Sequence, residues 1–283
     1  MLSALNPRAR AAIGAGLIAL TAAAIAWAVL TTGAPQATAK AQADTTDPIT
    51  ATYPSSSASA DASVTVAGIG PGDVVATIVG ETVDVYESAG DATPRETLTR
   101  FSYYGSVRTF MGLDSQEIDG ASWLQVQLAE YPNGSQGWIL QDQVEVASTN
   151  VRVNVYLDER EVDLLRGDTV ELTSTAVIGA KASPTPLGTY FVSDPVDFSA
   201  NTTGAYGAYA LGISAFSETL ETFKGGLPQI ALHGTNSPQF FGQEASNGCV
   251  RLPNDVILEL ADSAALGTPV AIYQSRDAAL ATA

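Results

Sequence analysis

Covalent chemistry in this 283-residue chain rests on one cysteine, Cys249, and one histidine, His233. The segment His233-Gly234-Thr235 closes the apolar run Ile230-Ala231-Leu232, and Cys249 follows sixteen residues after His233. Between them Asn236, Ser237, Pro238, Gly242, Ser246, Asn247 and Gly248 make a loop-rich path that can fold back on itself. A thiol is a useful nucleophile only as its thiolate, and its free pKa is about 8.5. A neighbouring imidazole that takes the proton leaves a thiolate–imidazolium pair, the activation route of thiol acyl transfer. Gly248 lets the chain turn tightly before Cys249, and the N–H groups of Asn247, Gly248 and Cys249 are candidate oxyanion donors. A lone cysteine also serves as a small buried hydrophobe, and a lone histidine as a satisfied structural residue. Spacing alone leaves both readings open.

Composition narrows the partners. Thirteen Lys+Arg against thirty Asp+Glu give a formal charge of −17, which argues against nucleic acid, because neutralising phosphates takes clustered Lys and Arg. One cysteine excludes an intramolecular disulfide and a multi-Cys metal site, and one histidine excludes His-rich zinc constellations. No metal and no organic cofactor is expected.

The elements that must position the pair come late in the chain. Arg8 and Arg10 precede an uncharged apolar stretch over 11–30, long enough to span a bilayer. Residues 1–33 therefore read as a signal-anchor or a signal peptide, with Ala37-Thr38-Ala39 and Ala41-Gln42-Ala43 resembling cleavage sites. Either way the remainder is exported to the cell envelope, membrane-anchored or secreted, with no Cys placed for lipid modification. Residues 34–73, rich in Ala, Thr, Ser and Pro, read as a flexible linker.

Two β-rich modules follow. Val83 to Tyr86, Trp123 to Gln127 and Gly137 to Leu140 alternate as half-buried strands, and Gly90, Gly112, Gly120 and Asn133-Gly134 read as turns. Residues 74–148 resemble bacterial SH3-like domains, small β-barrels, with Trp123 and Trp138 as core residues rather than ligand platforms. In the second module, 149–275, Val151, Val153 and Val155 alternate with polar residues, Arg166-Gly167-Asp168 reads as a hairpin, and one helix opens at Pro253-Asn254-Asp255. The Ala-rich tail 276–283 is expected to fray. The fold class is mainly β: a small barrel, then a mainly-β catalytic domain with one late helix.

The blocks His233-Gly234-Thr235-Asn236 and Ser246-Asn247-Gly248-Cys249-Val250-Arg251-Leu252 resemble the active-site signature of the YkuD-type L,D-transpeptidases. Upstream, Ser183-Pro184-Thr185-Pro186-Leu187-Gly188-Thr189-Tyr190 is similar to that family's Thr-Pro-x-Gly-x-aromatic segment. The resemblance implies acyl transfer on peptidoglycan stem peptides, with Cys249 as nucleophile and His233 as base, giving 3→3 cross-links through a thioester. It also implies acylation by carbapenems. The Gly234 carbonyl would orient the imidazole, Ser246 would hydrogen-bond within the loop, and Arg251 would anchor the loop or a substrate carboxylate. Tyr206 and Tyr209 would line the cleft or pack in the core. Asn247 stands where the signature carries a second histidine. Using water as acceptor would make the same fold an L,D-carboxypeptidase or endopeptidase; a non-catalytic wall-binding protein is the reading from a different class.

Overall fold

The computed structural model describes residues 72–281. The apolar stretch 11–30 and most of the linker lie outside them; among the described residues no helix is long and apolar enough to cross a membrane. Strand-forming alternation is realised as two main sheets, and the fold is mainly β.

The first sheet is antiparallel throughout. Its order is Gln136–Leu140, Ala121–Gln127, Thr109–Ile118, Asp73–Ile78, Val144–Thr149. Val74, Ala76, Ile78, Leu124, Val126 and Ile139 fill its core, and Trp123 and Trp138 are buried. Gly112, read above as a turn, instead lies inside the strand Thr109–Ile118 beside a register shift. A Cβ there would run into the Val74 side chain, so close packing rather than chain reversal explains the glycine.

The second sheet has eight strands in the order Thr169–Thr175, Glu161–Arg166, Val151–Tyr156, Pro269–Tyr273, Gly188–Asp197, Tyr209–Phe216, Gln229–His233, Val250–Arg251. Arg166-Gly167-Asp168-Thr169 makes the hairpin read from sequence, with Arg166 paired to Thr169. The chain's two ends of this module meet where Pro269–Tyr273 runs parallel to Val151–Tyr156. Helix Asn254–Ser263 buries Ile257 and Leu260 against this sheet's core, which includes Leu211, Ile213, Leu232 and Val250. No side chain caps the helix, whose N-cap is Pro253.

Polar side chains join the two sheets. Asn133 accepts from the Phe216 N–H and donates to the Phe216 carbonyl, both at 2.8 Å, copying a strand's pairing with one amide. Gln127 donates to the Thr189 carbonyl at 2.7 Å and accepts from Ser214 Oγ at 3.1 Å. Arg152 clasps Asp73 through two hydrogen bonds of 2.6 and 2.9 Å.

The tail departs from the frayed segment expected. Arg276–Leu280 forms a short helix, its first turn capped by Ser275 Oγ accepting from the Ala278 N–H. What pins it is Arg276, which bonds both carboxylate oxygens of Asp163 at 2.5 and 3.0 Å, reaches Glu161 at 2.8 Å and lies 4.2 Å from the Tyr156 ring centroid. Asp163 is 1% exposed. Arg276→Ala would leave a buried carboxylate with the hydroxyls of Thr173 and Tyr156 as its remaining donors. The expected loss is about 2–3 kcal/mol, below the cost of breaking a fully buried pair because Arg276 is itself partly in solvent. Urea denaturation of the variant measures it directly.

Candidate active site

Two adjacent parallel strands bring His233 and Cys249 together. Leu232 pairs with Val250 and His233 with Arg251, so Cys249 adjoins Ala231 at the next step of the ladder. Leu232 and Val250 are fully buried in the core. Alternation then sends Ala231, His233, Cys249 and Arg251 to the opposite face, which opens into the cleft. His233 is buried while Cys249 keeps partial exposure.

His233 Nδ1 lies 2.5 Å from the Gly234 carbonyl oxygen. A carbonyl only accepts, so Nδ1 carries the proton and Nε2 presents its lone pair. The Tyr206 ring sits 4.8 Å from the imidazole, and Phe198 stacks on Tyr206 at 5.6 Å. Lys224 Nζ, 5.7 Å from the centroid of that same Tyr206 ring and 5.5 Å from that of Phe223, comes from the loop between Tyr209–Phe216 and Gln229–His233.

Burial sets the charge state. It pushes the imidazole down to about 4, aided by Arg251 and Lys224 and opposed by the Gly234 hydrogen bond. Burial also pushes the Cys249 thiol up, against the Ala231 main chain and Arg251. Desolvation penalises both charges, so it favours the neutral imidazole and the neutral thiol over the thiolate–imidazolium pair of the activation route.

The loop bearing Cys249 is tied from two sides. Ser246 Oγ accepts from the Gly248 N–H at 3.1 Å and donates to the Cys249 carbonyl at 2.5 Å. The Gly248 N–H is thus occupied and cannot serve the oxyanion role expected for it; the N–H groups of Asn247 and Cys249 remain for that role. Gly248 has φ +110°, and a Cβ there would press on Ile230 Cδ1. Asn247 is exposed and lines a small hollow with Cys249, Phe223, Pro228 and Ile230.

Two fastening residues escaped the sequence reading. Buried Thr185 accepts from the Gly179 N–H at 2.9 Å and donates to the Gly248 carbonyl at 2.8 Å. Its hydroxyl is what couples the Ser183-Pro184-Thr185-Pro186 block to the Cys249 loop. Thr185→Val keeps the shape but strands one donor and one acceptor, costing about 1–3 kcal/mol. The expected outcome is a lowered melting temperature together with slower acylation of Cys249, read by thermal denaturation and intact-protein mass. Asn254 accepts from the Ala208 N–H at 3.0 Å and donates to the Thr235 carbonyl at 3.2 Å. A Cβ on Gly207 or Gly234 would collide with its Oδ1, which accounts for both glycines beside the imidazole.

The remaining candidates separate. Tyr206 and Arg251 lie with the pair. Tyr209 does not: its ring packs against the hydrophobic core, its phenol faces Asp197 and Asp262, and its contribution to the site is a main-chain carbonyl accepting from Gly234 N–H at 3.0 Å. The strand Tyr209–Phe216 turns that side chain to the helix-covered face.

Residues 150–272 match the family model YkuD, described as the L,D-transpeptidase catalytic domain. The chain is 31% identical over 121 residues to the YkuD protein of Bacillus licheniformis and 28% identical over 120 residues to that of Bacillus subtilis. The matches cover 43% and 42% of this chain, and the chain spans 64% of each relative's length. Among solved structures it is similar to the catalytic domain of an Enterococcus faecium L,D-transpeptidase acylated by ertapenem, at 22% identity and TM-score 0.35, covering 44% of this chain and 98% of that one. It is also similar to an L,D-transpeptidase of Mycobacterium tuberculosis H37Rv, at 13% identity and TM-score 0.39, covering 67% and 98%.

Proposed function

We propose that this chain is an L,D-transpeptidase of the bacterial cell envelope, joining peptidoglycan stem peptides by 3→3 cross-links through a thioester on Cys249. The observation that carries the reading is the pairing of Leu232 with Val250 and His233 with Arg251. That register brings His233 and the residue before Val250 onto neighbouring strands and one face, which supports reading them as base and nucleophile, with His233 Nδ1 engaged by the Gly234 carbonyl.

In this reading Cys249 Sγ attacks the carbonyl between the L-centre of a diamino acid and the terminal D-residue. His233 Nε2 takes the thiol proton as the S–C bond forms. The C–N bond then breaks, and the same proton passes to the departing amine. An amine of a second stem attacks the thioester, gives its proton to His233 and restores the thiol. Oxyanion stabilisation falls to the N–H groups of Asn247 and Cys249, an effect that typically contributes about 3–4 kcal/mol per donor. Ser246 and Thr185 hold the loop, while Arg251 and Tyr206 face the substrate. Residues 1–33 would export or anchor the chain, 34–73 would give reach from the membrane, and 74–148 would be the SH3-like module beside the catalytic domain.

The test is incubation of the purified protein with a disaccharide-tetrapeptide and mass analysis of the products. A dimer lacking one terminal D-alanine supports the proposal. Tripeptide monomer alone would assign carboxypeptidase action to the same site. No product, with no carbapenem adduct, would leave a wall-binding role.

A further inference from the structure

The first sheet does more than sit beside the catalytic module. Its loop after Glu96–Thr99 carries Tyr103 and Tyr104, and with Arg108 it borders a cavity of about 180 Å³ that also includes Asp194, Leu227 and Gln229. Gln229 lines the hollow at Cys249 as well, so the two spaces share a wall. The loop is held in place: Ser102 Oγ donates to Asp194 Oδ1, and Asn133 clamps Phe216 from the same side. Burial raises the Tyr104 phenol above its ordinary value, and Tyr103, Asp194 and Cys249 add to that rise.

The cavity's charges are of both signs. Asp194 is 5% exposed and receives only neutral donors, Ser102 Oγ on one oxygen and Gln229 Nε2 at 3.1 Å on the other. The Arg108 guanidinium likewise hydrogen-bonds only to carbonyls, those of Thr99 at 3.0 Å and Phe101 at 3.4 Å, while the charges of Asp194, Glu96 and Glu130 act on it from a distance. A buried carboxylate and a partly buried guanidinium bordering one cavity, each hydrogen-bonded to neutral groups rather than directly to the other, complement a ligand group carrying one ammonium and one carboxylate.

We propose that this cavity, built jointly by the two sheets, is the subsite for the zwitterionic end of the donor stem's diamino acid. The inference rests on the transpeptidase reading. In a stem built on meso-diaminopimelate, the residue whose carbonyl Cys249 would attack bears a side chain ending in an ammonium and a carboxylate that take no part in bond exchange. The ammonium meets Asp194, the carboxylate meets Arg108, and the methylenes lie along Tyr104 and Leu227. Removing the amino-terminal sheet's loop would then remove part of the substrate site.

Calorimetry on the full chain carrying Cys249→Ala tests this with two probes. One is a tetrapeptide stem containing meso-diaminopimelate; the other is the same stem with the side-chain amine acetylated. The free-amine stem is expected to bind at least about tenfold more tightly. Adding Asp194→Asn is expected to bring the two affinities within about twofold of each other, through loss of the charged partner. Tyr104→Ala, at an exposed position, is expected to weaken both stems about three- to tenfold by removing an apolar wall. Equal binding of the two stems overturns the proposal, as does a preference that survives Asp194→Asn in a natively melting protein. If that variant does not fold, unchanged binding in Tyr104→Ala overturns it. A carbapenem adduct on Cys249 of the unsubstituted chain is scored separately. With the adduct present and no stem preference, only the subsite falls; without the adduct, the transpeptidase reading falls.

Discussion

Cys249→Ala is expected to lower cross-link formation by about 10⁴-fold or more, because the step that forms and breaks the thioester has no substitute nucleophile. The chain holds no second cysteine. The loop that carries the residue is fastened by Ser246, Thr185 and main-chain groups rather than by the thiol. Alanine should therefore leave the fold and the melting temperature nearly unchanged, and stem binding should persist. The comparison is product yield by mass spectrometry beside a thermal melt of the same preparation. Retained turnover in the alanine variant would move the chemistry elsewhere.

His233→Gln has the second largest expected effect, a drop of about 10²–10⁴-fold in the rate of Cys249 acylation, the usual contribution of a positioned general base. The pH dependence sharpens it. The imidazole is held down to about 4, so the base is competent above that pH and is lost only as pH falls through it. At pH 5.5 about nine-tenths or more of the neutral-pH acylation rate should remain, whereas an unperturbed histidine would retain about one-tenth. Stability runs in the same sense. A histidine whose folded pKa is depressed leaves the unfolded chain binding the extra proton below about pH 6.5. The folded state therefore loses up to about 3 kcal/mol between that pH and about 4. His233→Gln should flatten this portion of the urea-midpoint profile. An acylation limb centred near pH 6.5 in the unsubstituted protein would contradict the buried, neutral imidazole.

The pair itself was legible because its chemistry is carried by rare residue types. With one Cys and one His, type and spacing already single out the pair, the run Ile230-Ala231-Leu232 marks the strand that carries His233, and the alternation of Val151, Val153 and Val155 with the Arg166-Gly167-Asp168 hairpin marks strands at the other side of the same sheet. What stayed hidden is whatever depends on distant partners. Thr185 lies in a motif noted for its prolines, yet its role is set by the carbonyl of Gly248, sixty-three residues away. Asn254 reads as the opening of a helix, but its amide turns from capping to join Ala208 and Thr235. Asn133 reads as a turn residue, and its amide instead docks one sheet on the other.

Electrostatics misled in the same way. A thiol–imidazole pair suggests an ion pair when sequence is the only guide, since burial is not visible there. Once the strand Gln229–His233 is flanked on both sides, burial pushes the imidazole down and the thiol up. The Ala-rich tail looked too weak to order itself. Its order comes from Arg276 reaching the buried Asp163 across the sheet, not from helix propensity.

The most direct measurement of the central claim is intact-protein mass spectrometry on rapidly quenched mixtures of the protein with a tetrapeptide stem, followed by peptide mapping. The account predicts a covalent adduct equal to the stem minus its terminal D-residue, located on the peptide that contains Cys249 and released on adding an acceptor amine. Cross-linked product formed with no such adduct at any time, or an adduct mapping away from Cys249, would contradict it.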